Sequence, residues 1–342
     1  MLLSRNSGCK GSNYLAIMQK KNQDIFSMSL LFRIFASRMT KGLSILIPTY
    51  NDCCLELVKG LQSQATECAI DFEILVADDG STDMEVVRKN QEVAKLSHCR
   101  LIRNEQNQGR AVIRNLLARE AQYAQVLFID SDMHIERKDF IARYLQEEAP
   151  VVYGGVTIGG TEKERRHNLR CQYEQAEAWK HTVDKRKENP YHDFHTANFM
   201  INRDIMLHHP FDERYRKYGY EDVAFGKVLK AHDIPICHID NPMLFDTFED
   251  NAVFISKTEE GLRTLYQFRE ELQDYSRLIR KADALSHPML WLLRSWHRHF
   301  GKWERRLLVN CQLSIVNSRL FPLYKLGYYL EYAKRQSSSA NP

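Results

Sequence analysis

Residues 124–132 read AQVLFIDSD, and the reading of this stretch decides the fold. The apolar run Val126 to Ile129 has the length of a buried strand, and it stops abruptly on Asp130-Ser131-Asp132. Upstream lie three runs of the same kind: CRLIRNE (99–105), FEILVAD (72–78) and LSILIPTY (43–50). Helical spacing separates them, through Leu55, Val58 and Leu61 in 53–66, through Met84, Val87 and Val93, and through 109–124 (GRAVIRNLLAREAQYA). Strands alternating with helices at this spacing predict an α/β chain whose mostly parallel sheet has helices on both faces. Open parallel sheets bind ligands beyond the carboxyl ends of their strands. The polar residues lie there: Thr49 to Asp52, Asp78 to Asp83, and Asp130 to Asp132. Those strand ends are the candidate site.

Beyond Pro150 the pattern loosens. VVYGGVTIGG (151–160) reads as a strand with a glycine-rich exit, 163–187 as a polar helical segment, and FHTANFMINR (194–203) as another strand. A turn carrying Glu221-Asp222 then leads into a helix through Val223, Phe225 and Leu229, with a strand after Pro235.

The 342 residues, 44% hydrophobic, suffice for a full core, as one large domain or two ordinary ones. The net charge of +4 conceals an asymmetry: residues 1–42 carry +6 and residues 281–342 carry +7, so the middle is acidic. An acidic middle suits a cation and argues against a phosphate-tracking groove, so no nucleic-acid partner is expected. The eight cysteines include no C-x-x-C pair, which predicts free thiols in a reducing, cytoplasmic setting. No stretch reaches the ~18 apolar residues of a spanning helix. The run IFSMSLLFRIFA (25–36) is short and broken by Arg33, and 1–42 reads as an extension or a mis-assigned start.

Each constellation taken alone has two readings. Asp130 and Asp132 can both reach one hard cation, or their turn can cap a helix. Asp78-Asp79-Gly80-Ser81-Thr82-Asp83 is either a strand-to-helix turn or a carboxylate site for a nucleotide base. Glu221-Asp222 either favours a helix dipole or supplies a general base.

In order and spacing, SILIPTYN (44–51), ADDGSTD (77–83), NQGRAVIRN (107–115), FIDSD (128–132) and YGYEDVAFG (218–226) resemble family 2 glycosyltransferases of the GT-A fold. The resemblance covers about residues 43–250. It implies an inverting transferase that uses a nucleoside-diphosphate sugar, UDP favoured, with Mg²⁺ or Mn²⁺. By the same resemblance Pro48, Tyr50 and Asn51 line the nucleotide pocket and Asp78 meets the base, with Asp79 beside it. Asn107, Gly109 and Arg110 border nucleotide and sugar, with Arg114 behind them. Asp130 and Asp132 form the metal motif, Asp132 being the direct ligand, while Asp222 is the base and Glu221 places the acceptor. Many relatives supply a further metal-binding His, but NPMLFDTFEDN (241–251) puts Phe245 at that position. His238 substitutes, or Asp246 does, or the ion is held by fewer protein groups.

The domains expected are an extension over 1–42, a catalytic domain over 43–255 and a helical basic extension over 256–336. In the last, Leu290, Trp291, Trp296, Phe300 and Trp303 alternate with Arg294, Arg298, Lys302, Arg305 and Arg306. Such a segment either packs its aromatics on the catalytic domain or lies on an anionic membrane. The second reading places the chain at the inner membrane face, with a glycan or lipid-linked acceptor in cell-surface polysaccharide assembly. A nucleotidyltransferase is the competing enzyme class, but PTYNDCCLE (48–56) lacks the Gly-rich, basic loop expected after its first strand. A degenerate, non-catalytic binding module is the remaining alternative.

Overall fold

The computed structural model describes residues 42–192, 194–310 and 314–339. The extension expected over 1–42, with its apolar run 25–36, lies outside them except for Gly42. In chain order the first half comprises β1 (Gly42–Thr49), α1 (Leu55–Glu67), β2 (Asp71–Asp78), α2 (Met84–Gln91), β3 (Cys99–Arg103), α3 (Arg110–Glu120), β4 (Gln125–Ile129) and α4 (Phe140–Leu145). Then follow β5 (Val151–Tyr153), β6 (Val156–Ile158), α5 (Glu162–His167), α6 (Leu169–Glu177), α7 (Val183–Glu188), β7 (Asn198–Asn202), α8 (Arg203–His208) and α9 (Glu221–Ala231). The chain continues through β8 (Ile236–His238), β9 (Met243–Phe245), α10 (Asn251–Gln267), α11 (Arg269–Leu272), α12 (Arg277–Asp283), α13 (His287–Asn310) and α14 (Ser314–Ser339).

Seven strands form one sheet in the order β3-β2-β1-β4-β7-β5-β8. The β1–β2, β1–β4, β2–β3 and β5–β8 pairs are parallel, and β7 runs antiparallel to both neighbours. The sheet is buried on both faces, because successive residues of β1 such as Ile45, Leu46 and Ile47 are all inaccessible. Leu43, Ile45 and Ile47 share a core cluster with Leu57, Val58 and Leu61 of α1 and Phe140 and Ile141 of α4. This mostly parallel sheet with helical cover is the α/β architecture expected from the sequence.

The segment 151–160 is not one strand. Gly154-Gly155 breaks it, so that β5 enters the main sheet while β6 pairs with β9 in a second, two-stranded sheet. Gly155 has φ +97°, and a Cβ there would lie 2.7 Å from Arg186 Nη2. From α10 onward the chain is helical. Leu262, Leu265, Phe268, Tyr329 and Leu330 make a second core cluster, and Phe254, Ile255, Leu308, Phe321 and Tyr324 belong to a third with Leu169 of α6. The six cysteines among the described residues are free. Among those residues no helix is long and apolar enough to cross a membrane.

Candidate active site

At the carboxyl ends of β1 and β2 the loops hold one another. Asn51 Oδ1 accepts the N–H groups of Thr82 (2.8 Å) and Asp83 (2.9 Å), while its own N–H donates to Ser81 Oγ at 2.7 Å. Asp78, almost fully buried, accepts the Ser81 N–H through Oδ1 at 2.8 Å and faces Arg103 Nε at 3.5 Å through Oδ2. Asp79 takes Asn104 Nδ2 (2.9 Å) and the N–H groups of Gln108 (3.0 Å) and Gly109 (2.9 Å). Asn51 and Asp79 thus shape the loops at these strand ends. Gly80, at φ +76°, lets the 104–109 loop close down, since a Cβ would sit 2.6 Å from the Gln106 carbonyl carbon. Pro48 is half-buried at the end of β1, and the Tyr50 and Asn107 side chains project exposed beside these loops.

The Asp130 turn is tied to α9 through an arginine. Buried Arg114 of α3 donates through Nη2 to Asp130 Oδ1 at 2.7 Å and reaches Glu221 Oε1 through Nη1 at 3.4 Å. Arg110 approaches the same Glu221 oxygen at 3.9 Å and stands over the Tyr218 ring, 5.1 Å from its centroid. Gly109, at φ +97°, caps the start of α3 and allows this approach, because a Cβ there would lie 2.9 Å from the Arg216 carbonyl oxygen. Glu221 is 5% exposed and its carboxyl is raised by burial, so it fixes two arginines and does not present itself to an acceptor. That corrects its assigned role. Burial pushes the Asp132 carboxyl up to about 6, Asp130 adding to the effect while Arg110 and Arg170 oppose it.

The expected histidine ligand is elsewhere. His238 lies on β8, separated from β4 by β7 and β5, and is 2% exposed. Its Nε2 meets the Pro190 carbonyl oxygen at 2.9 Å and its Nδ1 lies 3.3 Å from Arg186 Nη1. Both ring nitrogens are engaged inside the fold, so the metal role expected of His238 is withdrawn. Asp246 pairs with His134 Nε2 at 3.2 Å, and buried Phe245 carries Arg170 over its ring at 4.2 Å. Among the described residues no three His, Cys, Asp or Glu side chains are grouped to hold a metal. The donor set still fits a hard cation of the Mg²⁺ kind, which uses one or two protein carboxylates and fills its shell with water and phosphate oxygens. Asp132, its carboxyl destabilised in ionised form by neighbouring Asp130, and the remaining oxygen of Asp130 are that donor set.

Asp222, in the first turn of α9, accepts the Val223 N–H through Oδ1 at 2.8 Å. Its Oδ2 lies 3.0 Å from His195 Nδ1. Burial alone would raise the Asp222 carboxyl, but the His195 contact and the Val223 N–H outweigh it and hold it below the ordinary carboxylate value. His195 escaped the sequence reading because the strand was read over 194–203 and so included it, whereas β7 begins only at Asn198. The antiparallel course of β7 explains its presence: the start of β7 lies at the same sheet edge as the end of β4, with Ile129 opposite Asn198 and the Asp130 N–H donating to Ala197 O at 3.0 Å. A histidine just ahead of the buried run ANFMIN was the available signal. Arg170 was also missed, and its Nη1 is held by Glu249 at 2.5 Å.

With this geometry in place, the chain can be compared with known proteins. Residues 44–209 match the family model of Glycosyl transferase family 2. Over those residues the chain is similar to glycosyltransferases of this family. It is 26% identical over 224 residues to a validoxylamine A glucosyltransferase of Streptomyces hygroscopicus subsp. limoneus, covering 57% of this chain and 49% of that protein. It is 35% identical over 100 residues to an uncharacterized glycosyltransferase of Haemophilus influenzae, covering 29% of this chain and 37% of the relative. The chain thus spans about half or less of the length of these relatives. Among solved structures, mannosyltransferase PcManGT from Pyrobaculum calidifontis in complex with GDP-Man and Mn²⁺ has a TM-score of 0.46 and 14% identity, covering 91% of this chain and 98% of that one. TarS 1-349 of S. aureus in complex with UDP-GlcNAc has a TM-score of 0.44 and 18% identity, covering 86% and 92%.

Proposed function

We propose that the chain is an inverting glycosyltransferase that moves a sugar from a nucleoside-diphosphate sugar, UDP favoured, to a hydroxyl of a glycan or lipid-linked acceptor in cell-surface polysaccharide assembly. One observation carries the reading: buried Arg114 bridges Asp130, beside the cation candidate Asp132, to Glu221, beside the base candidate Asp222. The two functional carboxylates are thereby held at one sheet edge. Asp222 accepts the acceptor proton as the hydroxyl oxygen bonds to the anomeric carbon, and the sugar–diphosphate bond breaks on the opposite face. His195 positions the Asp222 carboxylate and favours its ionised form. Arg110, with its side chain about half exposed, meets charge on the departing diphosphate. A cation held by Asp132 and Asp130 would supply Lewis-acid stabilisation of the same charge. Asp78 and exposed Tyr50 serve the nucleotide, with Pro48, Asn107 and Gly109 at its border.

In this reading residues 43–255 do the chemistry and 256–336 set the working place, the inner face of a membrane. The test is hydrolysis and transfer with a panel of nucleotide sugars in the presence of Mn²⁺. Release of UDP from a UDP-sugar, lost in Asp222→Asn, is the expected result. Turnover by Asp222→Asn above about a tenth of the native rate would remove the base assignment. Binding of nucleotide without turnover of any sugar would favour a non-catalytic module.

A further inference from the structure

We propose that the outward face of α13 is a docking surface for an anionic lipid bilayer. The inference deepens the membrane-side part of the reading above and is independent of the glycosyl-transfer chemistry.

Met289, Leu292, Trp296, Phe300 and Trp303 recur at intervals of three and four, which places them along one side of a helix. They are 44%, 53%, 42%, 45% and 53% exposed, and Trp291 beside them is 68% exposed. The inward side of the same helix is already satisfied, with Leu290 and Leu293 in one core cluster and Leu308 in another. The outward stripe is therefore additional to what folding requires. Exposed apolar side chains scattered singly are ordinary, but a contiguous row of this kind marks an interaction surface.

Charge selects the partner. Exposed His299, Lys302 and Arg306 border the stripe. The one acid of α13, Glu304, is 1% exposed and takes the Trp296 indole N–H at 2.7 Å and His297 Nδ1 at 3.1 Å. The helix thus shows water apolar and cationic groups but no carboxylate of its own. Beside Trp291 a cavity of about 550 Å³ is lined in addition by His287, Arg294, Arg298 and Lys334; Arg298 is paired with Glu331 of α14, so Arg294 and Lys334 extend the positive side. A helix that only met water would mix both signs. Apolar groups bordered by one sign of charge are the pattern that seats a helix at the headgroup level of anionic lipid. In that setting indole rings occupy the interface and lysine and arginine meet lipid phosphates.

The experiment is flotation of the purified full chain with vesicles of phosphatidylcholine, alone or mixed with phosphatidylglycerol. The native chain is expected to float with the anionic vesicles, less with the neutral ones, and to be partly released by salt. Leu292→Ser/Phe300→Ser/Trp303→Ser should weaken the partition at least about tenfold. Trp296 is kept because its indole satisfies buried Glu304. Lys302→Glu/Arg306→Glu should remove the preference for anionic vesicles while leaving far-ultraviolet circular dichroism and Tm unchanged. Flotation of the triple variant equal to native would overturn the proposal and shift the contact elsewhere, for instance to the basic residues 1–42. A native chain that ignores vesicles but forms a dimer abolished by the triple variant would overturn it in favour of a second copy. UDP-sugar hydrolysis is read on the same samples: its loss with flotation intact counts against the enzymatic reading alone.

Discussion

As the proposed base, Asp222 meets two requirements that normally conflict, desolvation and ionisation. A base facing an acceptor must be shielded from water, which raises its pKa, yet it must be deprotonated to work. His195 at 3.0 Å and the Val223 N–H resolve the conflict and bring the carboxyl below its ordinary 3.8. A lowered folded pKa adds stability that is fully present above the unfolded value and is lost as pH falls through the folded one. His195→Ala removes the first of these stabilising groups while burial remains, so the acid limb of kcat/KM should move to higher pH. His195→Asn, which keeps a neutral donor, should recover part of the shift; pH–rate profiles of the three proteins decide it. Asp222→Asn should lower turnover by about 10²–10⁴-fold with nucleotide affinity nearly unchanged, as read by calorimetric titration of UDP. The buried thiol of Cys54, pushed up to about 12 by burial, should resist iodoacetamide in the native protein at pH 8, whereas exposed Cys53 reacts; mass mapping of the alkylated chain checks both.

At the scale of elements, α3 and α9 are joined to the β4 turn by the Asp130–Arg114–Glu221 bridge. A buried charge is costly when its partner is removed, more than the intact pair contributes over an apolar replacement. Arg114→Leu leaves Asp130 and Glu221 facing each other without their common cation, and should cost about 3–5 kcal/mol in urea denaturation. Arg114→Leu combined with Glu221→Gln should recover part of that loss, because one unpaired buried charge disappears. The loop between β3 and α3 depends on Gly80 in the same way that the bridge depends on Arg114. A side chain at φ +76° is strained, and there its Cβ would collide with the Gln106–Asn107 backbone. The motif ADDGSTD thus forms a strand-to-helix turn, one of its two sequence readings, and its second acid holds the 104–109 loop.

At the scale of the molecule, the helices from α10 to α14 do two things at once. Their inward side chains, including Leu308, Phe321, Tyr324, Tyr329 and Leu330, are buried in clusters shared with α6 and α10. Cutting the chain after residue 284 would expose the surfaces they cover, so that truncation is expected to lower Tm by several degrees and to promote aggregation. Differential scanning calorimetry of the truncated and full chains tests this. It is also why surface substitutions on α13 probe membrane contact more cleanly than deletion. Under the docking proposal, the two readings of the basic tail, aromatics packed inward or aromatics at a membrane, fall on opposite sides of one helix.

The four leading strands, the helices between them and the convergence of Thr49, Asp78 and Asp130 on one edge were legible from the sequence alone, because apolar period and strand-end carboxylates are local signals. So was the Glu221-Asp222 helix start. Three things were decided only by tertiary structure. The antiparallel insertion of β7 delivers His195 to Asp222, across 27 positions of sequence. The edge position of β8 sends His238 into a structural contact with Arg186 and Pro190. The bridge through Arg114 makes Glu221 an anchor rather than an acceptor contact. Each depends on which segments become neighbours, and a residue's hydrogen-bond partners are set by that neighbourhood; periodicity reports only which side of an element is buried.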